Sequence, residues 1–127
     1  MKNNSVGWFE IPVENMERAK KFYEAVLGGE ISLQQVGDER MGWFPYSGEG
    51  HGAPGSLVMQ NDYSKPGISG VRVYFTSPSG NCGNELSRVE PAGGKVIIPR
   101  TLISEDNGYY GLFLDTEGNY IGVHSQK

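Results

Sequence analysis

The chain has 127 residues and a formal net charge of −4 at pH 7, with a sequence pI of about 5.1. This length predicts one domain with a single hydrophobic core. The acidic balance, without a basic patch, excludes binding to nucleic acid or to an anionic membrane surface. Cys82 is the sole cysteine, so an intrachain disulfide is excluded. Since no signal peptide and no apolar run of membrane-spanning length is present, we expect a soluble, cytoplasmic protein.

The first predicted element is a half-buried β-strand between Val6 and Val13. Its apolar side chains, Phe9, Ile11 and Val13, alternate with side chains of another kind. A period of two places alternate side chains on opposite faces of a strand. The second face carries Trp8, Glu10 and Pro12. This strand therefore predicts a sheet whose face opposite the core is aromatic and charged.

An amphipathic helix is predicted next. Apolar residues recur at steps of three and four along Met16, Ala19, Phe22, Tyr23, Val26 and Leu27. Asn15 is suited to the N-cap position, and Gly28-Gly29 predicts the end of the helix because glycine adopts positive φ without steric cost. Three strands follow, near Glu30–Val36, Met41–Tyr46 and Ser56–Gln60, the last two separated by the turn-rich loop 47–55.

The same order of elements recurs in the second half. Val71, Val73 and Phe75 alternate in a strand, and a weaker helix over 81–91 ends at a second double glycine, Gly93-Gly94. Further strands are predicted at Lys95–Ile98, Tyr109–Leu114 and Asn119–His124, with a tight turn at 117–119. The stretches GGEI and GWF of the first half have counterparts in GGKV and GLF. These similarities indicate an internal duplication with a period of about sixty-five residues.

The predicted fold is therefore α+β, with two βαβββ units, about residues 5–62 and 68–125, in one domain. They would form a curved mixed sheet that is covered by helices on one face and concave on the other. The helix-facing positions would be Phe9, Ile11, Val13, Val71, Val73, Phe75, Ile121 and Val123. The cleft would then receive Trp8, Glu10, Arg72, Tyr74, Tyr120, Gly122 and His124. A register slip of one residue would invert this assignment.

Three stretches of the chain, WFEIPVENMERAKKFYEAVLG, AGGKVIIP and GLFLDTEGNYIGVHS, resemble the vicinal oxygen chelate superfamily. That superfamily includes glyoxalase I, bleomycin-resistance proteins and extradiol dioxygenases, and the likeness is greatest to its small bacterial glyoxalase-related members. It covers nearly the whole chain, with residues 37–69 matching least. The resemblance implies a fold of two βαβββ modules, a concave ligand cleft and a homodimer.

The resemblance also implies where a metal centre would lie. Metal-dependent members bind a divalent ion through His and Glu side chains on the first and last strands of both units. Three of these positions fall on Trp8, Gly70 and Gly122, and the fourth lies among residues 56–60, where Ser56 and Gln60 are polar. Trp and Gly side chains cannot coordinate a metal. We therefore expect no metal and no other cofactor, and with them no lactoylglutathione lyase mechanism.

Glu10, Arg72 and His124 remain as charged or titratable side chains on the predicted cleft face. In one interpretation, Glu10 pairs with Arg72 across neighbouring strands and neutralises its charge. In the other, the three form a metal-free cluster that orients a ligand or moves a proton, which makes Glu10 and His124 the candidate catalytic residues. Glu10 would then be the acidic neighbour of His124.

Other residues carry weaker signals. His51 lies in the glycine-rich loop 47–55, where solvent exposure is favoured over a place at the cleft rim. Cys82 begins the second helix, and the absence of a histidine partner in the sequence favours a structural thiol. Tyr109 and Tyr110 are expected to be ordinary strand aromatics, of which one can edge the cleft.

Three classes of function remain open. The favoured class is a small-molecule binding protein that works without metal, using Trp8, Tyr74 and Tyr120 for stacking and Glu10 for a cation. The second class is a metal-free enzyme with Glu10 or His124 as acid or base. The third is a metal-dependent lyase or dioxygenase with an unusual ligand set. A homodimer is expected, either with a cleft built across its interface or in a plain assembly role.

Overall fold

Residues 4–127 are described by the structure, a computed structural model. The first half contains β1 (Phe9–Val13), α1 (Met16–Leu27), β2 (Ser32–Val36), β3 (Glu39–Trp43) and β4 (Gly55–Met59). The second half contains β5 (Tyr74–Thr76), α2 (Cys82–Val89), β6 (Lys95–Ser104), β7 (Gly108–Leu114) and β8 (Tyr120–Ser125). Both halves follow the predicted order of strand, helix and three strands.

Each half builds its own four-stranded mixed sheet. The strand order is β1-β4-β3-β2 in the first sheet and β5-β8-β7-β6 in the second. The pairs β1–β4 and β5–β8 are parallel, and the other neighbours are antiparallel. The α+β class with two βαβββ modules is confirmed. The modules contribute separate sheets rather than one continuous sheet, so β1 and β5 are both edge strands.

Helix α1 begins and ends where its sequence predicts. The Asn15 side chain accepts a hydrogen bond from the Arg18 backbone N–H at 3.0 Å, which satisfies one of the unpaired donors of the first turn. At the other end Gly28 has φ +79°, and its N–H donates to the Glu24 carbonyl at 3.0 Å. The buried face consists of Met16, Ala19, Phe22, Tyr23 and Val26.

The second half departs from the prediction in its element lengths. Helix α2 ends at Val89, so the double glycine lies beyond the helix in a turn, with Gly93 at φ +106°. Strand β6 runs on to Ser104 because it forms a long, bulged hairpin with β7 that closes at the Ser104–Gly108 pair. In the described part of the chain, no helix is both long and apolar enough to cross a membrane.

The predicted alternation of strand side chains is observed with one exception. Ile11, Val13, Ile121 and Val123 are buried in one core together with both helices. Phe9, Val73 and Phe75 are partly buried against that core. Val71 is 99% exposed, so its expected helix contact is wrong. The reason is that β5 begins only at Tyr74, three residues after Val71.

Four aromatic rings join the two modules behind the unpaired edges of β1 and β5. The Phe9 and Phe75 ring centroids lie 5.6 Å apart in an edge-to-face arrangement. Phe44 contacts Phe75 at 5.3 Å and Tyr23 at 5.5 Å. These distances lie in the range in which aromatic pairs stabilise a core beyond their buried area. The modules are therefore fastened by side-chain packing, and the strand edges in front of the rings stay unpaired with each other.

The counterpart stretches GWF and GLF have the same role in both sheets. Gly42 pairs with Leu57 on β4, and Gly111 pairs with Val123 on β8. A Cβ at Gly42 would lie 2.9 Å from Ile31 Cγ2, and one at Gly111 would overlap the Leu86 side chain. Each sheet thus needs a glycine where apolar side chains pack down on the strand.

The closing turn of the β7–β8 hairpin is held by Asp115, which is buried. Its Oδ1 accepts hydrogen bonds from the N–H groups of Glu117 and Asn119, both at 2.8 Å. Its Oδ2 accepts from the Tyr23 hydroxyl on α1 at 2.6 Å. Burial and the neighbouring Asp115 carboxylate raise the pKa of Tyr23 well above its ordinary value, so the phenol remains a proton donor.

Glu117 ties the same turn to the start of α1. Its side chain, which has no solvent exposure, accepts hydrogen bonds from the N–H groups of Glu14 and Asn15 at 2.9 and 2.8 Å. The Arg18 guanidinium donates to both carboxylate oxygens, at 2.7 and 3.0 Å. A carboxylate from the second module therefore holds the backbone just before the helix of the first, where the helix dipole favours negative charge.

Candidate functional site

A cleft of about 610 Å³ lies between β1 and β5. It exists because these two edge strands pair with their own sheets and not with each other. Trp8 and Glu10 line it from the β1 side, and Arg72 and Tyr74 line it from the β5 side. The loop that precedes β4 contributes His51 at the rim. Its volume is within the range of small-molecule sites in proteins, about 300–1,000 Å³.

The structure brings together four of the six residues that the sequence proposed for ligand binding. His124 lies instead in a neighbouring depression of about 430 Å³, lined also by Tyr74, Ile103 and Tyr110. The expectation that His124 shares one cavity with Glu10 is therefore wrong. Tyr120 lines neither of these two depressions. That any of the six residues contacts a ligand remains a prediction.

Glu10 and Arg72 do not neutralise each other. Within residues 4–127 no ion pair joins them within 4.0 Å, which contradicts the first interpretation of these charges. The physical reason is that β1 and β5 belong to separate sheets, so no register holds their side chains opposite each other. Both side chains are exposed. The cleft thus offers an acidic and a basic group to a ligand.

His124 is oriented by the β6–β7 hairpin rather than by Glu10. Its Nε2 lies 2.6 Å from the Asn107 carbonyl oxygen in the hairpin turn. Because a carbonyl can only accept, the hydrogen bond places a proton on Nε2, and in the neutral ring Nδ1 is then an acceptor. The half-buried imidazole therefore has a defined tautomer beside the second depression.

The registers of the two sheets show which residues correspond between the modules. Glu10 pairs with Ser56 in the first sheet, and Tyr74 pairs with Gly122 in the second. Two residues before Glu10 and Tyr74, just ahead of the first strand of each module, are Trp8 and Arg72. Trp8 lies two residues before the Glu10–Ser56 pair, and Gly70 lies four residues before the Tyr74–Gly122 pair, so its assignment as the counterpart of Trp8 is wrong.

The four corresponding positions do not fit a divalent metal ion. They carry an indole at Trp8, a hydroxyl at Ser56, a guanidinium at Arg72 and no side chain at Gly122. A Cβ at Gly122 would overlap the Tyr74 ring, so an aromatic ring occupies the space of that side chain. Across residues 4–127 no three His, Cys, Asp or Glu side chains group closely enough to hold a metal. A cation at one position and a ring at another make this a poor donor set.

Ser56, one of the two polar candidates for the fourth metal-ligand position, lines neither depression. It is fully buried on β4, between Glu10 on β1 and Trp43 on β3, on the same face as both. Within residues 4–127 its Oγ is the buried side-chain polar atom without a hydrogen-bond partner. A buried polar atom without a hydrogen-bond partner destabilises the folded state, so few are found in folded proteins. The sequence named Ser56 only as one of two polar residues near the fourth position and did not indicate that its hydroxyl is buried.

Replacing Ser56 by alanine is expected to raise the free energy of unfolding by about 1 kcal/mol, because burying an unpaired hydroxyl costs about 1–3 kcal/mol. Urea unfolding followed by tryptophan fluorescence measures the difference. Ser69→Ala, at an exposed position, serves as the control and should leave stability unchanged. Lower stability of Ser56→Ala would show that the hydroxyl has a partner within the folded protein.

The comparisons with known proteins agree with this architecture. The sequence model of the Glyoxalase/Bleomycin resistance protein/Dioxygenase superfamily matches residues 5–123. The chain therefore belongs to this superfamily, and the resemblance inferred from its sequence is confirmed. No curated protein matches it.

Solved structures with the same fold include both binding proteins and enzymes. TnmS3 from Streptomyces sp. CB03234, described as an antibiotic binding protein, is 24% identical with a TM-score of 0.67, covering 100% of this chain and 99% of that one. A glyoxalase/bleomycin resistance protein from Albidiferax ferrireducens is 16% identical, with a TM-score of 0.66 and coverage of 98% and 100%. A mutant of glyoxalase I from Zea mays is 18% identical with a TM-score of 0.69, covering 94% of this chain and 46% of that one. This chain thus spans about half the length of the maize enzyme.

Proposed function

We propose that this protein binds a flat aromatic small molecule in the cleft between β1 and β5, without a metal ion. The observation that carries the proposal is the pair of aromatic side chains, Trp8 and Tyr74, on the two strands that border one cleft of about 610 Å³. Both remain substantially exposed, Trp8 to 42% and Tyr74 to 47%. Exposed aromatic side chains in a concave site are typical of ligand contacts.

Trp8 is held in place for such a contact. Its ring meets the Trp43 ring edge-to-face, with centroids 5.9 Å apart. A supported ring loses little conformational freedom when a ligand stacks on it, so less of the binding energy is spent on ordering. TnmS3, described as an antibiotic binding protein, shares the fold and supports a small molecule as the partner.

The test is native mass spectrometry of the purified protein for a co-purifying small molecule. We expect one molecule per chain, retained by Tyr63→Ala and lost in Trp8→Ala and Tyr74→Ala. Tyr63 is a matched control because it is 98% exposed and lines neither depression. Equal retention by all three variants would contradict the proposed site.

Metal independence follows from the donor set described above. Elemental analysis of protein purified without chelators should find far less than one equivalent of Zn, Ni, Mn or Fe per chain. A metal ion that bound the folded protein would raise its melting temperature. Adding these ions should therefore leave both the thermal midpoint and ligand binding unchanged. One tightly held ion per chain would overturn this part of the proposal and favour a lyase or dioxygenase with an unusual ligand set.

A metal-free enzyme is the second candidate, and one observation favours it. The bond from His124 Nε2 to the Asn107 carbonyl leaves Nδ1 as an acceptor, as a general base requires. Glu10 is the alternative base in the cleft. Conversion of the bound compound by wild-type protein, and its loss in His124→Gln or Glu10→Gln, would distinguish an enzyme from a binding protein.

Two further parts of the proposal concern the state of the protein. A homodimer is supported by exposed apolar side chains on the outer strands of both sheets, Leu33 and Val36 on β2 and Leu102 on β6. Sedimentation equilibrium would measure the oligomeric state. A cytoplasmic location is proposed from composition alone.

A further inference from the structure

The depression that contains His124 (the second lobe) adjoins the cleft between β1 and β5 (the first lobe) at the side chain of Tyr74. Tyr74 lines both it and the cleft between β1 and β5, so one ring forms the wall between two cavities of about 430 and 610 Å³. The remaining wall of the second lobe is formed by Tyr110 and His124, with Ile103 from the long β6–β7 hairpin. This lobe contains side chains that the proposed function does not use.

The sheet register explains how the second lobe is built. Tyr110 on β7 pairs with His124 on β8, which in turn pairs with Thr76 on β5. The three side chains therefore form one row across the concave face, adjacent to the row that contains Tyr74 and Gly122. The Tyr74 and Tyr110 ring centroids lie 6.5 Å apart with planes inclined at 52°.

Gly122 decides the shape of the wall between the lobes. Because a Cβ at this position would overlap the Tyr74 ring, the glycine allows that ring to lie over β8. The Tyr74 ring is exposed, and it lines both lobes. A single flat ligand that fills the first lobe would leave the Tyr110 ring and Ile103 in water.

We propose that the two lobes form one bent site, and that its ligand carries two aromatic ring systems joined by a short flexible link. One ring system stacks in the first lobe against Trp8, and the other enters the second lobe against Tyr110, with Tyr74 between them. The inference rests on the proposed function, and it adds the class of ligand.

Two commercial probes of equal charge test this inference. In 8-anilinonaphthalene-1-sulfonate a second ring is linked to the naphthalene, whereas naphthalene-1-sulfonate has the same sulfonate and no second ring. Calorimetric titration of wild-type protein should show that the two-ring probe binds about 10-fold more tightly, a difference typical of one additional buried aromatic group.

The variants assign each ring to its lobe. Tyr110→Ala should weaken the two-ring probe about 5- to 10-fold, to near the affinity of the one-ring probe, and should leave the one-ring probe unchanged. Ile103→Ala, at an exposed position, should act in the same direction and serves if Tyr110→Ala does not fold. Trp8→Ala should weaken both probes, and Tyr63→Ala should weaken neither.

The outcomes separate this inference from the proposed function. If Trp8→Ala weakens both probes but Tyr110→Ala and Ile103→Ala weaken neither, the cleft stands and the two-lobed ligand is wrong. Equal affinity of the two probes for wild-type protein would also overturn it. If Trp8→Ala leaves both probes unaffected, or if neither probe binds, the inference and the aromatic-ligand proposal are both overturned.

Discussion

Glu117→Gln is expected to lower the free energy of unfolding by about 3 kcal/mol, the lower end of the range for breaking a buried ion pair. The Glu117 carboxylate has no solvent exposure and accepts hydrogen bonds from two backbone N–H groups, from Arg18 and from Thr116. The glutamine amide has only one acceptor oxygen, so its NH₂ group would face N–H or O–H groups that now donate to the second carboxylate oxygen. The lower end applies because the Arg18 side chain is 48% exposed and can regain water. Urea unfolding at neutral pH measures the loss.

The matched control is Glu14→Gln, an exposed carboxylate at the same corner, which should change stability little. If Glu117→Gln lowers the free energy of unfolding no more than Glu14→Gln does, the closing turn does not hold the first module.

The same contact predicts the response to acid. Burial tends to raise the pKa of Glu117, but hydrogen bonds from Arg18, from Thr116 and from the Asn15 and Glu14 backbone outweigh burial and leave the pKa below its ordinary value of 4.5. A lowered folded-state pKa contributes stability that is present above pH 4.5 and is lost as the pH falls through the folded-state value. Wild-type protein should therefore lose stability below about pH 4.5 more steeply than Glu117→Gln. Identical acid limbs would contradict a role for Glu117.

Tyr74→Ala is expected to have the largest effect on binding, because this ring borders both depressions. The affinity for naphthalene-1-sulfonate should fall about 10- to 100-fold, equivalent to about 1.4–2.8 kcal/mol, as for truncation of a central aromatic contact. Calorimetric titration measures the change. The unfolding free energy should fall little, since about half of the side chain is already in water.

Gly122→Ala should reproduce this loss through a residue that carries no side chain of its own. The added methyl group would displace the Tyr74 ring, which can swing into solvent without disturbing the core. Gly48→Ala is the control, because a Cβ there meets no atom within 4 Å. The double variant Tyr74→Ala/Gly122→Ala should bind no worse than Tyr74→Ala alone, since both changes remove one contact. Additive losses would show that Gly122 acts independently of the ring.

Local patterns were sufficient to predict the order of the elements and the core faces of β1, β5 and β8. Asn15 and Gly28 mark the ends of α1 because capping depends on neighbours a few residues away. The alternation through Ile11, Val13, Ile121 and Val123 identifies the core because it depends only on the period of a strand. That same period placed Trp8, Glu10, Arg72 and Tyr74 at one cleft.

The prediction was wrong where the position of a residue depended on the distance between elements. The segment from strand to helix cap has different lengths in the two halves, from Glu10 to Asn15 and from Tyr74 to Asn81. Counting along the chain therefore could not transfer a position from one module to the other. The strand pairing, and not distance along the chain, makes Arg72 the counterpart of Trp8, where the resemblance had implied Gly70.

By itself, then, the sequence determined the order of elements in the two βαβββ units, the core faces of β1, β5 and β8 and the caps of α1, because these depend on residues close together in the chain. Only the tertiary structure decided that β1 and β5 remain separate edges, which keeps Glu10 and Arg72 unpaired with each other. It also placed the Tyr74 ring over Gly122 and His124 beside Asn107. Those contacts join residues from different strands and turns, and their geometry follows from how the two modules pack rather than from any local pattern.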